Sequence, residues 1–482
     1  MRSVNSILTA LVGSILLAGC AVGPRYVPLV STQPAAFQGG PAVEARAPGA
    51  ETADLISWWQ AFDDPLLTSL VERGLAQNLD LQQASARVVQ ARAALRGAHA
   101  ALLPSGQISG QAGEVYQSRE TPIGRIGSAF PPFERSTETY ELNLGGSWEI
   151  DLFGGRDAAR DAARADWQAS QAGAVASRLT VAAQIADTYV AIRMLQARLD
   201  VARAQLDVQQ HLVDLVALQY RKGVAAELQW RQAEGALARV RASVPALQNE
   251  LDMAMNALDV LIGVQPGTTR TELAALAPIP HAPAVSAAGG PAALLRRRPD
   301  IIAAERMLAA SNARIGAAVS EYYPKFSLSG LLGTASTATG GLFTGNATQA
   351  SGLLGLRWRL FDFGRVDAEI KAAEGQNAEA LAAYRLTVLR AAQDVEDAFS
   401  TLVQQEARAA ALVQGEGSLS RARVSAMAAY KGGMASLIEV LDADRRLLET
   451  RDGAIQARAA ATRGSIASFR ALGGGWDPKN IS

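Results

Sequence analysis

Cysteine is almost absent from this 482-residue chain, and the rest of the composition excludes several classes of protein. One cysteine cannot build a disulfide framework. The three histidines, His99, His211 and His281, lie far apart with no cysteine or carboxylate at ligand spacing, so we expect no metal site. Basic and acidic residues balance at 46 each, so the chain has no excess positive charge with which to bind nucleic acid.

Long apolar runs and catalytic motifs are also absent. Beyond the N-terminus no apolar run reaches the roughly 18 residues of a transmembrane helix, so any membrane crossing must use strands. No phosphate loop, nucleophile elbow or HExxH motif occurs. The GGGW sequence at Gly473 ends a predicted helix, and Asp300 after Pro299 is typical of a helix start. We therefore predict a protein that is not an enzyme and holds no dissociable cofactor.

The first twenty residues predict a processing signal. Arg2 precedes a short apolar stretch, and LAGC ends at Cys20. LAGC resembles the bacterial lipobox, so we expect residues 1–19 to be removed and Cys20 to carry diacylglycerol and an N-acyl chain, which anchor firmly together. Ala21, in place of the aspartate that retains such lipoproteins at the inner membrane, indicates transport outward. An ordinary secretory signal with a chance cysteine is the alternative. Residues 20–55 are typical of an extended tether.

The chain contains an internal duplication. The segment from Asn78 to Gly110 matches that from Arg298 to Gly330 at an offset of 220. From Trp148 onward the offset is 210, because the hairpin loop of the first copy is ten residues longer. The predicted divisions are a first copy at 56–263, a linker at 264–290, a second copy at 291–474 and a tail at 475–482.

In each copy the residue pattern predicts a helix, two strands, a long helix and a shorter helix. In the second strand Leu142, Leu144 and Trp148 alternate with polar residues, the period of a half-buried strand. The predicted strands are about 105–116, 139–152, 325–333 and 350–361. Each is near the ten or so residues that a tilted membrane strand needs. A water-soluble sandwich is the alternative.

The helices follow the pattern of coiled coils. Apolar residues step by three and four, as in Leu195, Leu199, Ala202 and Leu206. The predicted long helices are 157–221, 226–262, 364–430 and 435–472.

Four membrane strands leave two open edges, and lipid cannot hydrogen-bond them, so other copies must complete the sheet. Eight strands fill their own interior, whereas twelve leave an opening. We therefore predict an α+β membrane protein whose trimer forms a twelve-strand β-barrel continued by a coiled-coil α-helical barrel. The predicted lumen charges are Glu149, Asp151, Arg357 and Arg359. Glu149 and Arg359 occupy equivalent places with opposite sign, so we expect a polar lumen without strong charge selectivity.

Three segments resemble the outer-membrane factors of tripartite efflux systems. They are WWQAFDDPLLTSLVERGLAQNLDL from Trp58, RRRPDIIAAERML from Arg296 and YYPKFSLSG from Tyr322. The resemblance is nearest to the lipoprotein branch related to NodT and OprM, with TolC more distant. It implies a homotrimer in the outer membrane, a periplasmic tunnel, a periplasmic adaptor and an inner-membrane transporter of the RND type. A non-conducting periplasmic coiled-coil lipoprotein and the outer-membrane component of a type I secretion system are the alternatives.

The same resemblance implies a gate at the periplasmic tip. The turn AYKGGMASLIEVLDADRRL places Ile438, Glu439 and Asp442 where the family faces its pore axis. The two acids are three apart and share a helix face. Six carboxylates from three subunits should repel one another, which raises some of their pKa values and favours a cation. A solvated acidic helix face is the alternative.

The resemblance also implies a latch that holds the tip shut. In relatives a tyrosine and a basic residue, here Tyr430 and Lys431, bond an aspartate of the first copy. That place is Gln229 here. A neutral amide accepts a hydrogen bond but forms no ion pair. The hypothesis is that Tyr430 and Lys431 bond Gln229 or neighbouring backbone, in a weaker latch.

Overall fold

The computed structural model describes residues 22–29, 34–46, 53–130, 133–287 and 290–477. Cys20 and the predicted signal lie outside the described residues. The chain divides into two compact units. Of the described residues, the strand unit comprises 22–29, 89–130, 133–168 and 305–382. The helix unit comprises 34–46, 53–88, 169–287, 290–304 and 383–477.

Helices make up most of the described chain. In chain order they are α1 (Gly40–Glu44), α2 (Pro65–Gln77), α3 (Leu79–Ala100), α4 (Pro122–Ser128), α5 (Gly155–Arg221), α6 (Glu227–Ile262), α7 (Arg270–Leu273), α8 (Gly290–Arg297), α9 (Pro299–Val319), α10 (Arg365–Lys431) and α11 (Leu437–Ala471). The helices α5 and α10 each run for 67 residues, as the uninterrupted coiled-coil pattern predicts. Within the described ranges, no helix has both the length and the hydropathy to span a bilayer.

Four strands form one antiparallel sheet in the order β1–β2–β3–β4. They are β1 (Ser105–Tyr116), β2 (Ser136–Ile150), β3 (Lys325–Ser336) and β4 (Thr348–Arg357). The central pairing of β2 with β3 joins the two copies, which leaves β1 and β4 as the edges. Two strands end earlier than predicted. β2 ends at Ile150, just before Asp151, and β4 ends at Arg357, before Arg359.

The two faces of the sheet differ in polarity. On one face Ile108 pairs with Leu144, and Leu144 pairs in turn with Leu332. All three side chains are exposed in the single subunit. On the other face Gln349 Nε2 donates a hydrogen bond to Asn143 Oδ1 at 2.8 Å. One face therefore suits an apolar surrounding and the other suits water, as the period-two pattern predicts.

A buried aromatic cluster lies in the helix unit. Trp58 is 1% exposed and stacks on Phe469, with ring centroids 5.6 Å apart. Phe62 contacts both rings edge to face. Trp58 opens the first copy and Phe469 lies near the end of the second, so burial of these large rings holds the two copies together.

Candidate gate at the helical hairpin tips

The turns at the tips of the two helical hairpins have the same backbone conformation. Gly223 after α5 has φ 71° and Gly433 after α10 has φ 73°. In both, an amide beyond the glycine returns to the last turn: Val224 N donates to Gln219 O at 2.9 Å and Met434 N donates to Ala429 O at 2.8 Å. Left-handed backbone at this position favours glycine, which explains why both turns carry one.

An apolar cluster joins the two hairpins just behind these turns. Its buried members come from α5, α6 and α11, and they are Leu212, Val213, Val216, Ala233, Leu237, Leu437 and Val440. Tyr430 and Met427 of α10 pack against it. All four long helices therefore meet in one small core at the tip.

The predicted latch tyrosine bonds a residue that the sequence did not indicate. Tyr430 Oη donates to Gln219 Oε1 at 2.7 Å, which ties α10 to α5. Burial raises the pKa of Tyr430, so the hydroxyl stays a proton donor at neutral pH. Within the subunit Tyr430 contacts Gln219, and the bond to Gln229 or its neighbouring backbone in the closed state stays a prediction. Lys431 is exposed and has no ion pair among the described residues.

Gln229 and Glu439 occupy equivalent places in the two copies and perform the same local role. Gln229 Oε1 accepts from Ala226 N at 3.2 Å, and Glu439 Oε2 accepts from Ser436 N at 3.1 Å. Each side chain thus folds back over the start of its helix, as the third residue of a capping box does. The structure gives both residues a capping role that the sequence argument had overlooked.

Ile438 and Asp442 lie on the first two turns of α11. Ile438 is 59% exposed, which fits a residue that awaits a partner surface. Asp442 Oδ1 accepts from Arg445 Nη2 at 2.8 Å, and Asp442 Oδ2 lies 2.7 Å from Arg446 Nε. The hydrogen bond from Arg445, with the charge of Arg446, lowers the pKa of Asp442. Within one subunit this shift is opposite to the one expected for the acidic ring of three.

A buried carboxylate that the sequence reasoning missed, Asp444, lies two residues after Asp442 in α11. Asp444 is 1% exposed and accepts from Arg423 Nε at 2.5 Å and from Gln209 Nε2 at 3.3 Å. Its signal was present in the sequence. Asp444 continues the apolar stripe of Val440 and Leu447 at steps of four and three, so an acid there must be buried.

The predicted lumen charges lie near one end of the sheet, in the strand unit. Glu149 Oε1 accepts from Arg156 Nε at 3.1 Å, and Arg359 Nη2 lies 2.9 Å from a carboxylate oxygen of Glu321. Both charges are thus balanced within the subunit. Asp151 Oδ2 accepts from the backbone amide of Asp157 at 2.7 Å and so caps the start of α5.

Arg357 is the exception among these four. It is exposed at the end of β4, opposite Lys325 in the register, and it has no ion pair within the described ranges. Lys325 itself pairs with Glu321.

This fold and this tip define a class of protein. A four-stranded sheet with one apolar face and, among the described residues, two unpaired edges, joined to two long helical hairpins, fits a membrane channel subunit that further copies complete. A family model described as "Outer membrane efflux protein" matches residues 70–264 and 290–474. The chain belongs to this family.

Relatives match over nearly the whole chain. Nodulation protein T of Rhizobium leguminosarum bv. trifolii is 31% identical, with 96% of each chain covered. The pyoverdine export outer membrane protein OpmQ of Pseudomonas aeruginosa is 30% identical, with 97% of this chain and 96% of OpmQ covered. The solved structure of the outer-membrane channel OprN has a TM-score of 0.84 and 32% identity, covering 95% of this chain and all of that one.

These findings confirm the family resemblance and the fold class predicted from the sequence. The chain is a subunit of a trimeric, TolC-like outer-membrane efflux channel, and it is located in the outer membrane. Such channels work with an adaptor and an inner-membrane transporter.

Proposed function

We propose that three copies of this chain form a duct that carries small molecules from a periplasmic adaptor and an RND-type transporter to the cell exterior. The observation that carries the proposal is the sheet. Its apolar face suits lipid, its polar face suits a water-filled lumen, and its edges β1 and β4 have no partner within the described subunit. Unpaired backbone groups in lipid are costly, so β1 of each copy pairs with β4 of the next.

We further propose that Cys20 anchors each subunit through covalent lipid. The support is the LAGC sequence, together with a tether that packs on α10: Gly39 N donates to Glu396 Oε2 at 2.8 Å, and Phe37 contacts Phe399 edge to face. A chain fixed at the cysteine and docked a short distance later holds the subunit close to its membrane. Mass spectrometry of the purified protein tests this, and an unmodified thiol at residue 20 would contradict it.

The tips of the hairpins are proposed to be the closed gate. Ile438 forms an apolar constriction, and Glu439 and Asp442 form rings of carboxylates in the trimer. Tyr430 holds α10 to α5 through Gln219. Lys431, exposed and unpaired within the described subunit, completes the latch by reaching Gln229 or its neighbouring backbone in the closed trimer.

The cargo is set by the transporter partner. The relatives include proteins named for pyoverdine export, toluene efflux and cation efflux. The described residues contain no group of three histidine, cysteine or acidic side chains placed to hold a metal. The support is therefore for a duct for small molecules in general rather than for one chemical class.

The test is the conductance of the detergent-purified protein in a planar bilayer. We expect a trimer that forms pores with a low resting conductance. A soluble or non-conducting oligomer would contradict the proposal and favour a structural lipoprotein instead.

The latch has its own test. Lys431→Ala should raise the resting conductance and the uptake of large antibiotics in cells. Tyr430→Phe removes only the hydroxyl that bonds Gln219 and should act in the same direction. If Lys431→Ala leaves both quantities unchanged, Lys431 is not part of the latch.

A further inference from the structure

A cavity of about 330 Å³ lies in the strand unit, beside the end of the sheet where β2 and β4 lead into the long helices. Charged side chains of both signs line it, and they are Glu149, Asp151, Arg156, Glu321, Lys325 and Arg357. Lys325 and Arg357 are direct partners in the register of β3 with β4. Arg357 lies eight residues after Gln349 along the chain, so both cations belong to the polar face of the sheet. Like charges in directly opposite positions repel, which favours an anion close to them.

The acidic side chains of this cavity are already engaged. Glu149 forms an ion pair within the subunit, and Asp151 caps a helix. Glu321 serves two cations, one of which is Lys325. Among the described residues that line the cavity, Arg357 is therefore the cation without a carboxylate partner.

The described β1 strand of a neighbouring subunit offers Arg357 no counter-charge. In the proposed trimer, the edge strand β4 pairs with β1 of the next copy. The β1 residues on the polar face are uncharged, and they are Ser105, Gln107, Ser109, Gln111, Gly113 and Val115. Glu114, the acidic residue of β1, alternates onto the apolar face, where it lies opposite Glu138. Arg357 thus stays unbalanced by β1 in any register of this pairing.

An unpaired guanidinium in a cavity wall suits one chemical class of ligand. Its donors form a planar fork that matches two oxygens of a carboxylate, a phosphate or a sulfonate. Lys325 lies directly across the ladder, and its ammonium group has three donors, so it can bind an anion while it still bonds Glu321. The pair therefore combines a geometric match to an anion with a second positive charge.

We propose that Arg357 and Lys325 form a subsite for anionic groups of the cargo, with one such subsite in each subunit of the trimer. Fixed positive charge facing the lumen raises the local concentration of anionic solutes. The transporter still selects the cargo, and the subsites favour acidic molecules among those delivered. This subsite rests on the duct proposed above.

The direct test measures binding of citrate, a tricarboxylate, to the purified full-length trimer by isothermal titration calorimetry. Low salt is used, because the Debye length is then about 30 Å and charge is weakly screened. Arg357→Gln should weaken citrate binding by about tenfold or more, the usual weight of a hydrogen bond between charged groups. Arg357→Lys keeps the charge and loses the planar fork, so it should weaken binding less. No binding to the wild type, or equal affinity for the wild type and Arg357→Gln, would overturn the subsite.

The reversal potential of open pores in a potassium chloride gradient gives a second readout. Arg357→Gln should shift the preference of the pore toward potassium, and Arg357→Glu should shift it further, since it changes two charges rather than one. Near 1 M salt the shift should vanish, because the Debye length falls to about 3 Å. The acidic residues at the tip, Glu439 and Asp442, are the same in every variant, so the comparison isolates Arg357. Identical reversal potentials at low salt would contradict the proposal.

Arg125→Gln is the matched control. Arg125 lies in α4, in the loop at the opposite end of the sheet, and pairs with Glu120 at 3.0 Å. The substitution removes the same charge away from the cavity and should leave the affinity for citrate unchanged. Arg357 is exposed, so its variants should fold, and recovery of intact trimers on an unheated gel checks this.

Binding and conduction can fail separately. A wild-type trimer that binds citrate and forms no pore contradicts the channel rather than the subsite. A conducting wild type whose citrate affinity does not respond to Arg357→Gln overturns the subsite alone.

Discussion

In the two copies of the repeat, equivalent hydrogen bonds join the second strand to the helix before the first strand. Trp148 Nε1 donates to Leu102 O at 2.9 Å in the first copy, and Trp358 Nε1 donates to Tyr322 O at 3.0 Å in the second. Each bond joins the end of the second strand to the end of the helix before the first strand. In both copies the acceptor is a backbone oxygen at the equivalent position, Leu102 or Tyr322, so the bond does not depend on the side chain of the acceptor residue.

The copies differ in the charges that they place at the tip. Asp444 in the second copy corresponds to Glu234 in the first at the offset of 210, and Arg423 corresponds to Val213. Glu234 is half exposed and pairs with Arg231 of its own helix at 2.9 Å. Val213 lies in the apolar core of the tip. Where the first copy has a half-exposed glutamate and a buried valine, the second copy thus has an ion pair between Arg423 and the buried Asp444.

The largest expected effect on stability comes from removing the side chains of Asn78 and Arg298, which occupy equivalent positions in the two copies. Asn78 Nδ2 donates to Leu261 O at 2.8 Å, and Arg298 Nη1 donates to Ala471 O at 3.2 Å, each at the last turn of a returning helix. Arg298 also pairs with Asp300 and Asp394. Arg298→Ala should lower the free energy of unfolding by about 2 kcal/mol, because it removes a charged donor that bonds the backbone oxygens of Ala391 and Ala471.

The matched change, Asn78→Ala, removes an amide and a helix cap and should cost about 1 kcal/mol. The measurement for both is the thermal unfolding midpoint of the purified trimer. Equal shifts of the unfolding midpoint for Arg298→Ala and Asn78→Ala would contradict the expectation that Arg298 contributes more to stability than Asn78.

A smaller effect tests how equivalent the two turns are. Gly223 and Gly433 both have positive φ, and a Cβ at either would meet open space. Gly223→Ala and Gly433→Ala should therefore each cost about 1 kcal/mol, through backbone strain alone. Hydrogen exchange of the turn amides measures the loss. A loss of stability for only one of the two substitutions would show that the two turns differ in backbone conformation, and not only in the charges nearby.

The sequence predicted the strands and long helices closely, but it did not indicate the hydrogen bonds between the hairpins at the tip, for physical reasons. Alternation and coiled-coil spacing are local signals, and they placed β1 at the residues where it lies. The end of β4 before Arg359 depends on where its partner β3 begins, which is a long-range property. The bond from Tyr430 to Gln219 depends on the register between two hairpins that are distant in sequence. The short helix α4 in the longer loop gave no periodic signal.

The smallest expected effect concerns pH. The hydrogen bond from Arg445 lowers the pKa of Asp442. A carboxyl group with a lowered pKa contributes stability that is present above its unfolded pKa of about 4 and is lost as pH falls through the lower folded value. The resting conductance should therefore stay constant from about pH 8 to pH 5. A change near pH 6 that Asp442→Asn removes would show instead that repulsion within the trimeric ring dominates.

The most direct test of the difference between the copies removes one charge at equivalent places. Asp444→Asn and Glu234→Gln are compared by single-channel recording of the intact trimer. Asp444 accepts hydrogen bonds from Gln209 of α5 and from Arg423 of α10, so Asp444→Asn should loosen the second hairpin from the first and raise the resting conductance, whereas Glu234→Gln, at a half-exposed site, should leave it unchanged. Equal conductance changes in the two variants would contradict the assignment of the gate to the second copy.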